Sequence, residues 1–316
     1  MQRSKRKRTG VSRTKVIVIL FSILFFIIIL GSYTYSKFST FDKNFSKTQV
    51  DYSSNLRDSS KKDLIESTKP ISVLLLGIDE RDNDKGRSDT MIVMTINPKE
   101  KKGHLLSIPR DSYVPIAGTN TLDKINHAYA KGGIETSAKT VEQLLTIPID
   151  FVVSLNMEGL VSVIDIVDGV TVNNPFAFEA NGIQFAKGNI SLSGTEALSY
   201  IRMRKNDPEG DLGRQQRQQE VIQALAKKLP SFDTLKSLDS LMAILGHNVQ
   251  TNVKLDELYT MSKAYPLQKI QFNKNSFKKG TNEKIEGIYY YKLNLDEVDT
   301  ITAELRDNLQ LDKGAK

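Results

Sequence analysis

Residues Val16–Leu30 carry one hydroxyl, Ser22, in an otherwise unbroken apolar run, and that run decides how much of the chain can fold in water. Extended through Gly31-Ser32-Tyr33-Thr34-Tyr35, it reaches about 20 residues, the length of a helix that crosses a bilayer. Tyr33 and Tyr35 suit the far interface, where aromatic rings collect. Ahead of the run, residues 1–15 hold Arg3, Lys5, Arg6, Lys7, Arg8, Arg13 and Lys15 and no acid. Basic flanks stay cytoplasmic. The expected topology is therefore a cytoplasmic basic tail over 1–15, a single-pass transmembrane helix over 16–35 and everything beyond it outside the cytoplasm. A cleavable signal peptide competes, but the run is long for one and no A-x-A-like site follows.

The chain holds 44 Lys and Arg against 37 Asp and Glu, a formal charge of +7. Removing the seven cations of the tail leaves 37 against 37, so the exported part is neutral. Nucleic acid is not an expected partner of a neutral domain outside the membrane, and the tail orients the chain and touches anionic lipid. There is no cysteine, which excludes disulfides, thiolate catalysis and cysteine-ligated zinc. An exported domain without cysteine fits a bacterial cell envelope.

Residues 36–69 are rich in Ser, Lys, Asp and Asn and read as an extracytoplasmic linker. From Pro70 the texture is globular to residue 316. Ile71–Leu76, Thr90–Ile96 and His104–Ile108 read as strands. Helices are expected at Asp123–Lys131, stopped by Gly132-Gly133, and at Thr136–Leu145. A strand at Asp150–Asn156, a helix at Met157–Val167 and a strand at Val170–Val172 follow. Ser193-Gly-Thr-Glu196 is a capping box for a helix reaching Arg202. Further helices are expected from Asp211 to about Leu229, at about 235–245, at 255–264 and at 296–308, with a Tyr-rich strand at Gly287–Lys292. This alternation predicts an α/β (α+β) domain, a central mixed β-sheet flanked by helices.

The stretch Arg202–Gln218 concentrates four arginines and a lysine around one turn and one helix start. At 3.6 residues per turn, Asp211, Arg214 and Gln218 share a stripe with Val221, Ile222, Leu225 and Leu229. Gln215, Gln216, Gln219 and Gln223 then point away. Inward charge is costly unless an anion meets it. Two readings stand: an internal arginine–carboxylate network, or a pocket for a multiply charged anion such as a diphosphate.

Other motifs supply partners. Gly77-Ile-Asp79 puts a carboxylate after the first strand, and Arg87-Ser-Asp89 puts another before the second. Two carboxylates at neighbouring strand mouths suit magnesium, which keeps room for phosphate oxygens; loop solvation or pairing with Arg81 and Arg87 is the plain alternative. Ser107-Ile-Pro109-Arg110-Asp111 ends the third strand with a guanidinium that the proline helps aim. Asp111 could orient that arginine or accept a proton. Lys124, Asn126 and His127 lie at a helix start, and no histidine shows metal-ligand spacing. No nucleophile motif is present. Arginines for a diphosphate and carboxylates for a cation suit phosphoryl transfer, where positioning and charge neutralisation do most of the catalysis.

In order along the chain, LLLGIDER (74–81), RSDTMIV (87–93), SIPRDSYV (107–114), DKINHAYAKGG (123–133), DGVTVNN (168–174) and LSGTEALSYIRMRKNDPEGDLGRQQRQ (192–218) resemble the LytR-CpsA-Psr family of Gram-positive envelope proteins. The motif core spans 74–230 of a catalytic domain over 70–316. The resemblance implies transfer of an anionic glycopolymer, wall teichoic acid or capsular polysaccharide, from an undecaprenyl-diphosphate carrier to a peptidoglycan acceptor. It places the diphosphate on Arg110, Arg202, Arg204, Arg214 and Gln218, with Arg217 assisting. It places magnesium, with manganese as the alternative ion, on Asp79 and Asp89, and gives Asp211 the bracing of the arginines. Lys124 and Asn126 are supporting groups. Arg110, Asp89 and Asp111 are the catalytic candidates, with the base open between the two carboxylates and a metal-lowered acceptor pKa. The family's prenyl chain lies in an apolar tunnel, for which Val141, Leu144, Leu145, Leu160, Val163 and Ile164 are candidate linings. A polyprenyl-diphosphate pyrophosphatase, a membrane-bound transcriptional attenuator and a non-catalytic lipid-binding scaffold are the competing readings.

Overall fold

The computed structural model describes residues 46, 48–79, 86–204, 207–228 and 248–311. The expected span at 16–35 and the expected helix at about 235–245 lie outside the described residues. Among the described residues, no helix is long and apolar enough to cross a membrane.

A short helix, α1 (Lys61–Glu66), precedes the first strand. The three apolar runs become β1 (Ile71–Asp79), β2 (Arg87–Asn97) and β3 (Lys102–Ser107), paired antiparallel in that order. A small ribbon of β4 (Tyr113–Pro115) and β5 (Leu122–Lys124) leads into α2 (His127–Leu145). β6 (Phe151–Asn156) then returns parallel to β1. The chain continues through α3 (Met157–Ile166), β7 (Val170–Asn174), β8 (Phe178–Ala180), β9 (Ile183–Phe185), β10 (Gly188–Leu192), α4 (Gly194–Arg202) and α5 (Asp211–Lys228). After β11 (Val249–Thr251) and α6 (Leu255–Ala264) come β12 (Gln271–Ser276), the hairpin β13 (Thr281–Ile285) and β14 (Ile288–Lys292), and α7 (Leu295–Asn308). The central sheet has the order β11-β6-β1-β2-β3-β12. β6 is parallel to β1 and β12 to β3, while the other neighbours are antiparallel, so the sheet is mixed, as the sequence predicts.

Its central strands read as continuous apolar runs because both faces are covered. Leu74, Leu76, Ile78, Met91 and Val93 pack on one face with α2 and α7. Val73, Ile92, Met94 and Ile96 pack on the other with α1 and α6. Each such side chain, fully buried, contributes about 1.5–3 kcal/mol. A third cluster gathers α3, α4 and α5 with β7 to β10.

Three expectations change. The linker expected over 36–69 is part of the folded domain from Thr48 onward: Tyr52 joins one core cluster and Leu64 and Ile65 another. Their apolar side chains, scattered in a polar stretch, give no periodic signal. The helix expected from Asp123 begins only at His127. Gly132-Gly133 ends its first part as expected, since both residues have non-helical backbone, Gly133 at φ 65°, and α2 is two helices joined at that kink. Ile134, Ala138 and Val141 restore the apolar stripe beyond the kink, and the segment 122–124 before it is a strand. Along α5, Gln215 and Gln219 are buried rather than outward. That helix lies between two cores, with Ile222 packed in one and Val221 and Leu225 in the other. Gln219 meets its burial by donating to Leu105 O at 3.1 Å, Ser107 Oγ at 2.9 Å and Asn275 O at 2.7 Å.

The capping box on α4 forms as written: Ser193 caps the Glu196 amide and Glu196 reaches back to the Ser193 N–H at 2.8 Å. Those bonds, from the backbone first and then the hydroxyl, hold the Glu196 carboxyl below its ordinary value of 4.5. A depressed carboxylate stabilises the fold above its unfolded pKa and loses that effect as pH falls through the folded one. Ser193→Ala should cost about 1 kcal/mol at neutral pH. Chemical denaturation should show the penalty of Glu196→Gln at pH 7 shrinking once the pH drops below 4.5.

Candidate active site

The ends of β1, β2 and β3 bring the dispersed polar motifs together. Asp79 closes β1, and Asp89 is the extra residue near the start of β2 where the register shifts at Gly77/Ile78. Gly77 permits this close approach, since a Cβ there would lie 2.9 Å from Thr90 Cβ. Arg110 follows β3 and donates to Asp89 Oδ2 at 2.8 Å. Its Nε lies 3.7 Å from Asp111 Oδ2, whose other oxygen accepts from Lys124 Nζ at 2.7 Å. Asn126, buried, donates its backbone N–H to Arg110 O at 3.2 Å, which ties the start of α2 to the same turn.

The α4–α5 turn brings the second set. Arg202 Nη2 stands 3.9 Å from Asp79 Oδ1 and is about half exposed. Arg204 is exposed and makes no ion pair among the described residues. Arg214 Nη2 meets Asp211 Oδ1 at 2.6 Å, and its Nε is buried with no hydrogen-bond partner among the described residues. Burial lowers the Arg214 pKa; Asp211 opposes that shift, whereas Arg110 and Arg204 add to it. Gln218 donates to Thr90 Oγ1 at 2.8 Å and so links α5 to β2.

Arg202, Arg204, Asp211 and Arg214 line one cleft of about 1170 Å³, together with Asp111. Arg110, Lys124, Arg202, Arg204 and Arg214 are interleaved with Asp79, Asp89, Asp111 and Asp211 in this region, and the cleft lining adds Lys278, Glu179, Asp207 and Glu209. An unpaired buried N–H costs about 1–3 kcal/mol, and a guanidinium crowded by two others gains from any arriving anion. The arrangement can hold a phosphate-rich group.

Asp79 and Asp89 fit a magnesium ion by their donor chemistry. Both are hard carboxylates; Arg110 takes Oδ2 of Asp89, and Arg202 stands beside Oδ1 of Asp79. Among the described residues, no group of three or more His, Asp or Glu side chains forms a metal cage. An ion here would draw its remaining ligands from phosphate and water, the usual habit of magnesium.

The structure separates one predicted residue from the rest. Arg217 is 2% exposed and turned into the protein: its Nε donates to Tyr200 O at 3.0 Å, and its other nitrogens bond Asp207 and Met203 O. Its guanidinium also stacks on Phe178 and Tyr200, at 5.5 and 5.8 Å. So the internal-network reading of the 202–218 stretch applies to Arg217, while Arg202, Arg204 and Arg214 line the cleft. The tunnel candidates also divide, Val141, Leu144 and Leu145 packing in one core cluster and Leu160, Val163 and Ile164 in another. His127 lies 3.0 Å from Asp123, and His104 lies 3.9 Å from Glu304; His247 falls outside the described residues, as does Arg81.

Sequence reasoning missed Asp207, Lys278, Asn282, Tyr289 and Tyr291, all of which line the cleft. The Tyr-rich strand was visible, but its pairing and the face it presents depend on β13 and on the turn after β3. Burial, followed by the charges of Asp111 and Asp211, raises the Tyr289 pKa, so its hydroxyl remains a donor at neutral pH.

The sequence profile of the LytR_cpsA_psr family matches residues 33–307. A Bacillus licheniformis protein named polyisoprenyl-teichoic acid–peptidoglycan teichoic acid transferase TagU is 39% identical over 313 residues, 98% of this chain and 99% of that one. A crystal structure from Enterococcus faecalis, described as a transcriptional regulator, matches with a TM-score of 0.71 at 39% identity, over 79% of this chain and 91% of its own. A structure of TagT bound to LI-WTA matches with a TM-score of 0.66 at 33% identity, over 82% of this chain and 97% of its own.

Proposed function

The chain belongs to the LytR-CpsA-Psr family, and from that premise we propose that it transfers a teichoic-acid-type glycopolymer from a polyprenyl-diphosphate carrier to peptidoglycan. The observation that carries this is the clustering of Arg202, Arg204 and Arg214 on one cleft wall, where Arg110 and Arg204 crowd the buried guanidinium of Arg214. The TagU relatives are named for this transfer. The basic tail and residues 16–35 anchor the chain as a single-pass type II membrane protein, with its catalytic domain outside the cytoplasm. That arrangement keeps the cleft on the side where the lipid-linked polymer and the wall are found.

In this reading an acceptor hydroxyl attacks the phosphorus nearer the polymer, and the bond from that phosphorus to the lipid-side phosphate breaks. Arg202, Arg204 and Arg214 take the charge that develops on the leaving lipid phosphate. Arg110, fixed between Asp89 and Asp111, orients the transferred phosphoryl group. Of the two carboxylates that are candidate bases, Asp111 is the one that lines the cleft, so it receives the acceptor proton. Asp79 and Asp89 would hold magnesium, which when bound neutralises phosphate charge and lowers the pKa of oxygen ligands. Water can replace the acceptor in the same geometry, so phosphate release without acceptor is a side reaction to measure alongside transfer.

The test is transfer of lipid-linked polymer to peptidoglycan fragments by the full chain in detergent micelles. Arg110→Ala and Arg202→Ala should each lower the rate by about a hundredfold, the usual loss when a group that stabilises transition-state charge is removed. Wild-type rates in both variants would sink the site assignment.

A further inference from the structure

The cleft is larger than a diphosphate and its counter-ion require. At about 1170 Å³ it exceeds the roughly 300–1,000 Å³ that encloses a drug-sized ligand. The arginines occupy only the wall made by the α4–α5 turn. Another wall belongs to the β13–β14 hairpin and Lys278 ahead of it.

The pleat explains what that wall presents. Tyr289 and Tyr291 stand two residues apart on one face of β14, and both line the cleft. Tyr290 between them turns the other way, against Tyr113 with ring centroids 4.7 Å apart. The hairpin is tied to the catalytic turn, because the Tyr291 N–H donates to Asp111 O at 2.8 Å. The Tyr291 hydroxyl is locked as well, donating to Phe277 O at 3.1 Å and accepting from Gly280 N at 3.0 Å.

Tyr289 differs from its neighbours. It is 41% exposed, an aromatic surface inside a cleft with Lys124 Nζ 5.7 Å from its ring centroid. Its hydroxyl donates to Asn282 Oδ1 at 2.6 Å, which fixes that amide and leaves the Asn282 NH₂ without an acceptor among the described residues. Lys278 is exposed and makes no ion pair among the described residues. An aromatic face beside free amide and ammonium donors suits a pyranose. Its apolar C–H face lies on the ring, and its hydroxyl and N-acetyl oxygens take the donors.

We propose that Tyr289, with Asn282 and Lys278, forms a saccharide subsite that grips the sugar next to the reacting phosphate. This rests on the transfer reading above and adds the substrate class that the second wall recognises. Donor polymer and acceptor glycan offer the same chemistry, and binding measurements separate them.

The full chain in micelles is titrated with three probes: a polyprenyl diphosphate, the same lipid bearing one N-acetylhexosamine, and a soluble peptidoglycan glycan fragment. Tyr289→Ala should weaken one of the two saccharide probes about fivefold, the scale of a lost aromatic contact, and leave the bare diphosphate unchanged. Tyr289→Phe keeps the ring and should stay within about twofold of wild type. Loss on the glycosylated lipid alone assigns the subsite to the donor; loss on the glycan fragment alone assigns it to the acceptor. Unchanged binding of both saccharides overturns the proposal, and so does an equal loss on the bare diphosphate. Failure of the wild type to bind the bare diphosphate overturns the transfer reading instead, and the glycan fragment still decides the subsite.

Discussion

Arg214→Ala should abolish most transfer while leaving the fold at least as stable as before. The side chain is 12% exposed and its Nε lacks a partner among the described residues. Arg110 and Arg204 add to the lowering of its pKa that burial begins. The site therefore carries a desolvated cation that Asp211 and, less strongly, Asp89 compensate. Removing it relieves that cost, whereas a bound diphosphate loses a charge-assisted donor where negative charge develops. A fall of about 10²–10³ in turnover is the scale for such a donor. Arg214→Lys should recover only part of the loss, because an ammonium keeps the charge but not the fork that binds two oxygens at once. The measurements are single-turnover transfer and thermal melting of the same preparations. A variant that melts well below wild type would show that Arg214 holds the fold together, and unchanged turnover would remove it from the site.

Stability and function part along the same helix, and this bears on what the sequence could show. The inward charges of α5 were legible as an anomaly because periodicity places Asp211 and Arg214 on the apolar stripe. Their destination was not, because it depends on which layers the helix lies between. Gln219 reads as a solvent residue until the sheet is placed beside it, where it satisfies the backbone oxygens of β3 and β12. Asp79, Asp89 and Arg110 were legible because strand ends in α/β folds converge on one edge. Tyr289 and Lys278 were not, since a hairpin far along the chain reaches the site through long-range contacts, among them the bond between Tyr291 and Asp111 and the packing of Tyr290 on Tyr113. Local chemistry was readable from spacing, whereas long-range pairing was not.

Arg217→Ala should have the opposite signature from Arg214→Ala three residues earlier. Arg217 and Asp207 are 3% and 1% exposed, so neither charge keeps its water. Removing one partner of such a pair leaves the other buried and uncompensated, at a cost of about 3–5 kcal/mol. Tyr200 O and Met203 O would also lose their donors, and the carbonyl of Met203 lies in the turn that aims Arg202 and Arg204. The expected outcome is a large drop in the denaturation midpoint, with residual transfer set by the fraction still folded. Gly213→Ala supplies an independent check. A Cβ there would lie 2.2 Å from Asp207 Oδ2, and that carboxylate cannot retreat without leaving Arg217. It should therefore destabilise the same pair although no charge is removed. If Arg217→Ala melts with wild type yet loses transfer, the guanidinium serves the diphosphate after all, and the internal assignment fails. If both variants unfold early and bind polyprenyl diphosphate normally at low temperature, the pair acts on the fold alone. The cleft arginines then owe their placement to a buried ion pair that never meets the substrate.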